Sequence, residues 1–304
     1  MTATARDWGL LAGLGLIWGA SFMATKVALG GAAPLTLVVI RLWVGALALA
    51  ALTLWRGERL PGLATPDERR FWAFALAMAV CANVVPFSAL SWGQSHLDSA
   101  LAGVFMSTVP LFVLALAHYF VPGEALTSQK ALGFGLGFAG VLVLIGPEAL
   151  SGLGQGPVLA LLAQGAFLVT ALGYASGSII SKRAPSFGIL AFATAAMGLA
   201  AVLAVPLFWL APPTAAALAP EPLAAIVYLG LVPTALAQLM LLAVIASAGP
   251  GFLALVNYQV PLWAVFFGWL ALSEEPSPRL GGALVLILLG LAISQGLWRR
   301  RALR

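Results

Sequence analysis

The chain alternates between long apolar runs and short polar interruptions. The runs long enough to cross a bilayer, or nearly so, are 8–29, 34–55, 71–92, 99–121, 131–146, 157–181, 187–210, 223–247, 251–272 and 280–298. A helix needs about 20 apolar residues to cross the hydrocarbon. Within runs such as Ala131 to Ile145 and Ala283 to Ile293, polar residues do not recur at every second position. That excludes the strands of a closed barrel, and lipid allows only one other element, so the pattern predicts helices. The first run is longer than a typical signal-peptide core, and no small-residue cleavage site with a polar mature start follows it. It therefore reads as a retained first helix.

Composition and charge give this picture a direction. Hydrophobic residues make up 62% of the chain and charged ones 8%, against about a quarter charged in soluble domains. Placing the N-terminus in the cytoplasm puts Arg6, Arg56, Arg59, Arg69, Arg70, Lys130, Lys182, Arg183, Arg299, Arg300, Arg301 and Arg304 on that side, 12 of the 15 basic residues. Basic residues favour the cytoplasmic face. Lys26, Arg41 and Arg279 are left at or near the outer side. Both termini are expected inside, which requires an even number of spans. The expected location is the bacterial inner membrane, with multiple passes.

The chemistry-bearing residues exclude several classes. The net charge of +5 does not indicate nucleic acid, because the basic residues sit at helix ends rather than in a patch with interleaved aromatics. The one cysteine, Cys81, lies in an apolar run, so no disulfide or thiolate metal site is expected. His96 and His118 are the only histidines, and neither has a second metal ligand at helical spacing. The strings HExxH, GxSxG and the P-loop are missing. No cofactor, no metal and no enzymatic activity are expected. Gly135-Leu-Gly137-Phe-Ala-Gly140 fits the letters of a dinucleotide loop but follows no strand, so close helix packing explains it better. All ten acidic residues lie at span ends or in loops: Asp7, Glu58, Asp67, Glu68, Asp98, Glu124, Glu148, Glu221, Glu274 and Glu275. Intramembrane carboxylates are the usual proton relays and cation counter-ions. A zwitterionic or neutral substrate fits better than a cation, and no coupling site for protons stands out.

The two halves repeat. Pro110 aligns with Pro261 at an offset of 151, and each of these spans ends near an acidic residue, Glu124 or Glu275. Trp18 to Lys26 aligns with Tyr174 to Lys182 at an offset of 156. Residues 1–150 and 151–304 then hold five spans each, within one integral membrane unit. An odd number inverts the second half, an arrangement transporters use with the substrate near the midplane. The expected fold is all-α, with ten transmembrane helices in two inverted five-helix repeats.

Polar and aromatic residues within the runs mark the candidate path. Trp18, Ser21, Phe22 and Thr25 share one helix face, and Tyr174, Gly177, Ser178 and Ser181 share its counterpart. Cavity lining and ordinary packing both explain these stripes. Asn257-Tyr258-Gln259 is the most polar triplet inside any run, and Pro261 leaves the Asn257 carbonyl without its helical bond. A simple kink without a ligand stays open as an alternative. Pro110 does the same for Met106, and Pro86 and Pro233 lie near Asn83 and Gln238. These four prolines are candidate hinges.

In that order and spacing, Trp18-Gly19-Ala20-Ser21-Phe22 with Lys26, then Arg41, then Pro110 with Glu124 and Gly133, then Pro261 with Glu275 and Gly282, the chain resembles the EamA-type drug/metabolite transporter family. The resemblance covers essentially the whole chain, and the segment from Glu275 to Gly282 is two residues shorter than its counterpart. Within the family it is similar to bacterial exporters of aromatic and other neutral amino acids. The resemblance implies a secondary transporter that exports small amphipathic metabolites by alternating access. The implied cavity is lined by Trp18, Ser21, Phe22, Asn83, Phe87 and Met106 from the first half. Tyr174, Ser178, Gln238, Asn257, Tyr258 and Trp263 line it from the second. Lys26 or Arg41 would attract a carboxylate from the outer side, with a structural role for Arg41 as the alternative. Efflux of hydrophobic drugs or nucleoside-like metabolites is a second reading, and a non-transporting membrane assembly protein is a third. The expected partners are a small-molecule substrate and the bilayer. The sequence does not fix the oligomeric state, and a monomer is compatible with it.

Overall fold

The computed structural model describes residues 4–120, 127–145, 155–217, 219–248, 250–253 and 255–294. Glu124, Glu148 and the C-terminal arginines Arg299, Arg300, Arg301 and Arg304 lie outside the described residues. The main helices are α1 (Ala5–Leu29), α2 (Pro34–Trp55), α3 (Pro66–Gln94), α4 (Ser99–Phe120), α5 (Ser128–Ile145), α6 (Gln155–Arg183), α7 (Ile189–Leu210), α8 (220–248), α9 (Val256–Leu272) and α10 (Pro278–Ser294). A single helical turn, Pro250–Leu253, leads into α9. Among the described residues, seven helices are long and apolar enough to cross a membrane, and α5, α9 and α10 are shorter apolar helices. No strand occurs among the described residues.

Helix starts follow from local chemistry. Thr4 and Asp7 form a capping box at α1, and Thr65 and Glu68 form another at α3. Each box satisfies backbone N–H groups that the first turn leaves without partners. Proline opens α2, α3, α8 and α10, where its missing N–H is harmless.

Packing pairs helices of one half with helices of the other. α2 and α7 run antiparallel. The Thr36 hydroxyl donates to the Ala211 carbonyl at one end (2.7 Å), and the Thr53 and Thr194 hydroxyls meet at the other (2.7 Å). α5 and α10 are antiparallel too, with Gln129 Nε2 donating to the Ile293 carbonyl at 2.8 Å. Here Gly133 and Gly290 face each other so closely that a Cβ on either would overlap the other's carbonyl oxygen. The face α5 presents is Gly133, Gly137 and Gly140, whereas Gly135 of the glycine-rich string has open space around it. α1 packs on α9 and α8, and α6 packs on α4 and α3. Exchanging each helix for the one five places along maps the first pair of contacts onto the second. One apolar core surrounds Leu14, Phe105, Phe167 and Ile287, another surrounds Leu37, Leu42, Met197 and Ile226, and Tyr174 borders both.

Two helices depart from regular α geometry at matching places. α3 widens to a π-helical segment at Ala79–Val84, and α8 does so at Gly230–Leu236. The two segments begin 151 residues apart, from 79 to 230. α4 breaks at Ser107 and Thr108, whose backbone N–H groups tighten onto the Val104 and Phe105 carbonyls. Pro110 therefore sits in the first turn of a new helical segment, while Pro261 lies inside α9. The two prolines that align in sequence thus differ locally.

Candidate functional site

The irregular parts of α3 and α8 gather the most unusual set of side chains in the molecule. Arg41 of α2 is 6% exposed. Its guanidinium carbon stands 3.9 Å from the centre of the Phe87 ring, and its Nε donates to the Thr234 hydroxyl at 3.2 Å. Phe87 meets Tyr174 edge to face at 6.3 Å between centroids. Among the described residues no acidic side chain is bonded to Arg41. Next to Thr234, the Pro233 carbonyl accepts the Trp18 indole N–H at 3.3 Å. In α3, next to Phe87, the Pro86 carbonyl accepts the Thr170 hydroxyl at 3.1 Å. Thus the first helix of each half donates to a proline carbonyl in the irregular helix of the other half. A ring face and a hydroxyl each support a buried cation, but neither supplies a counter-charge.

The structure brings Trp18, Phe87 and Tyr174 of the expected lining together with Arg41. Asn83 is buried, and its amide donates to the Met78 carbonyl within α3 at 3.1 Å. Ser21 donates to the Trp18 carbonyl at 2.6 Å. Ser178 is exposed and bonded to the Tyr174 carbonyl at 3.2 Å. Phe22 and Met106 belong to the core around Phe105, away from Arg41's ring contact. Gln238, Asn257, Tyr258 and Trp263 are half-buried, and Trp263 stacks on Phe267 at 6.0 Å. The Tyr258 hydroxyl is a buried oxygen without a hydrogen-bond partner, which leaves it able to bond a ligand.

The charges at the helix ends have structural duties. Lys26 donates to the carbonyls of Gln94 (2.9 Å) and Leu97 (2.8 Å), so its ammonium caps the C-terminal end of α3, where cations are favoured. The Glu274 carboxylate accepts from the Ser99 and Ala100 backbone N–H groups (2.7 and 2.9 Å) and the Ser99 hydroxyl (3.0 Å), capping α4. Asp7 is buried and accepts from the Ser247 hydroxyl of α8. Sequence reasoning did not find Thr234, Gln94 or Gln164. The last two carry buried amide oxygens without partners. The only advance signal was the rarity of amides inside apolar runs.

Among the described residues no three His, Cys, Asp or Glu side chains stand together to hold a metal. His96 and His118 are exposed, each against its aromatic neighbour, Trp92 or Tyr119. A shallow apolar recess bounded by Pro61, Gly62, Leu63 and Trp72 lies about four helical turns from Phe87 and shares no residue with the Arg41 cluster.

Comparison with known proteins matches this architecture. The family model described as the EamA-like transporter family covers residues 8–146 and 161–295. The chain is similar to a protein of Bacillus subtilis (strain 168) named the uncharacterized transporter YoaV, 24% identical over 289 residues, 94% of this chain and 95% of that one. It is also similar to the S-adenosylmethionine/S-adenosylhomocysteine transporter of Chlamydia trachomatis serovar L2. That protein is 29% identical over 285 residues, 90% of this chain and 84% of the relative. A solved crystal structure shares the fold with a TM-score of 0.65 at 22% identity, covering 98% of this chain and 99% of that one.

Proposed function

The chain belongs to the EamA-like transporter family, and from that premise we propose that it exports small amphipathic metabolites, most concretely aromatic and other neutral amino acids, by alternating access. It is a multi-pass protein of the inner membrane. The observation that carries the reading is the aromatic and polar cluster at the irregular segments of α3 and α8. Irregular backbone in a membrane is tolerated where it faces protein or a water-filled cavity. Phe87, Tyr174 and Trp18 offer ring faces for an apolar side chain. The Tyr258 hydroxyl, next to Asn257 in α9, offers a bond to an ammonium group.

Antiparallel pairing of α2 with α7 and of α5 with α10 supports two inverted halves. If the second half entered the membrane in the same direction as the first, these equivalent helices would run parallel. Ten spans with both termini inside, and prolines acting as hinges, belong to the same proposal.

A second reading, export of nucleoside-bearing metabolites, is favoured by the S-adenosylmethionine/S-adenosylhomocysteine transporter among the relatives. Both compounds also end in an amino-acid group, so the two readings share a recognition element. Uptake of labelled phenylalanine and of labelled S-adenosylmethionine into proteoliposomes separates them. Saturable movement of phenylalanine supports the first, and of S-adenosylmethionine alone the second. Movement of neither would favour a membrane assembly role.

A further inference from the structure

We infer that Arg41 is the subsite for an anionic group of the cargo, an α-carboxylate or a phosphate. This rests on the transport reading above and narrows its substrate class to molecules that carry a negative group.

Two cations fall within the apolar runs of the first half, Lys26 in the last turn of α1 and Arg41 two turns into α2, and the structure treats them differently. The Lys26 ammonium is engaged by two carbonyls at the end of α3. Arg41 has no such arrangement. Only its Nε is bonded, to Thr234, and its terminal nitrogens donate to no side chain or carbonyl among the described residues. No carboxylate pairs with it there either. A charge inside a membrane bundle is costly and marks a functional path by default. Snorkelling does not explain this one, because the side chain is buried and Arg41 begins about seven residues, roughly 10 Å, along α2.

The geometry around the guanidinium is that of an anion holder. The Phe87 ring covers one face at 3.9 Å, and the terminal N–H groups have no hydrogen-bond acceptor among the described residues. Those groups form paired donors in a planar fork, which matches the two oxygens of a carboxylate or phosphate. Thr234 and Phe87 fix the fork from α8 and α3, so little ordering is left for the moment of binding. Thr234 lies within the π-helical segment of α8 and Phe87 one turn beyond that of α3. A change of conformation at these segments would move the anion subsite with them. A purely structural Arg41 would tie α2, α3 and α8 together without regard to the charge of any ligand.

The test uses twin probes that differ in a single group: phenylalanine against phenylalaninamide, and uridine 5′-monophosphate against uridine. Each is titrated against the purified full chain in detergent, followed by tryptophan fluorescence and by thermal stability. The expected result is at least tenfold tighter binding of the anionic member of one pair. The pair that shows it distinguishes carboxylate from phosphate. Arg41→Gln should abolish the preference, and Arg41→Lys should retain part of it. Equal binding of both twins by the unaltered protein overturns the inference, and that comparison needs no variant to fold. A preference that survives in Arg41→Gln overturns it as well. If no probe binds and none is moved in proteoliposomes, the transport reading itself fails for these classes, and the subsite falls with it. Binding without charge preference removes the subsite alone.

Discussion

The helix pairs α3/α8 and α5/α10 occupy equivalent places in the two halves, yet they are built in opposite ways. α5 and α10 are regular, pack through glycine, and meet backbone to backbone at Gly133 and Gly290. α3 and α8 each widen to a π-helical segment, and each offers a proline carbonyl to a side chain from the opposite half. Close regular packing has little room to move, because interiors transmit displacement rather than absorb it. A widened turn already lacks the regular ladder and can change its bonding at lower cost. Under the proposed alternating access, α5/α10 would hold the bundle and α3/α8 would change state.

The largest effect should come from breaking the regular pair. Gly290→Leu would force a side chain into the Gly133 carbonyl and backbone of α5. A destabilisation of about 3 kcal/mol is expected, seen as loss of monodisperse protein in detergent. Gly135→Leu on α5, in open space, should leave stability within about 0.5 kcal/mol.

Next in size is the polar triplet of α9. Asn257→Leu keeps the side chain's volume and suits lipid, so the protein should still fold. Transport should fall about tenfold, the equivalent of one lost hydrogen bond of ~1.4 kcal/mol to cargo. Unchanged transport by a well-folded variant would remove Asn257 from the path.

Smaller changes are expected from the prolines. Pro261→Ala should restore a bond to the Asn257 carbonyl inside α9 and straighten it. Pro110→Ala acts on a helix already broken upstream, at Ser107 and Thr108. Both should slow transport several-fold with probe binding largely retained, and they should bias accessibility toward opposite faces. A shift of both toward the same face would show that the prolines serve packing.

The smallest effect should be that of a proton gradient. Among the described residues the buried carboxylate is Asp7, held by Thr4 and Ser247 at the start of α1, and not in the cluster around Arg41. Equilibrium accumulation in liposomes should change less than about twofold when pH is imposed across the membrane. Accumulation that tracks the gradient would make Asp7 and His118 the first positions to replace.

The helices were legible because lipid leaves an apolar run few alternatives. The expected 34–55 matches α2 (Pro34–Trp55) residue for residue, and 71–92 lies inside α3 (Pro66–Gln94). What hydropathy could not carry was the change of hydrogen bonding within a run. The segments Ala79–Val84 and Gly230–Leu236 carry no charge and one polar side chain each, Asn83 and Thr234, and Ser107 and Thr108 break α4 without any charge. The roles of the cations were equally hidden, since their partners are distant in sequence. Lys26 meets Gln94 and Leu97, and Arg41 meets Phe87 and Thr234. An apolar pattern records which residues avoid water and is silent on which polar groups find each other.

The most direct test of a path through α3 and α8 is thiol accessibility at its centre. A single cysteine in place of Asn83, in a Cys81→Ser background, is exposed to a membrane-impermeant reagent in sealed vesicles of each orientation. Alternating access through the irregular segments requires labelling from both faces, each slowed by a bound probe such as phenylalanine or S-adenosylmethionine. Labelling from one face alone, or from neither while the protein still transports, would contradict it.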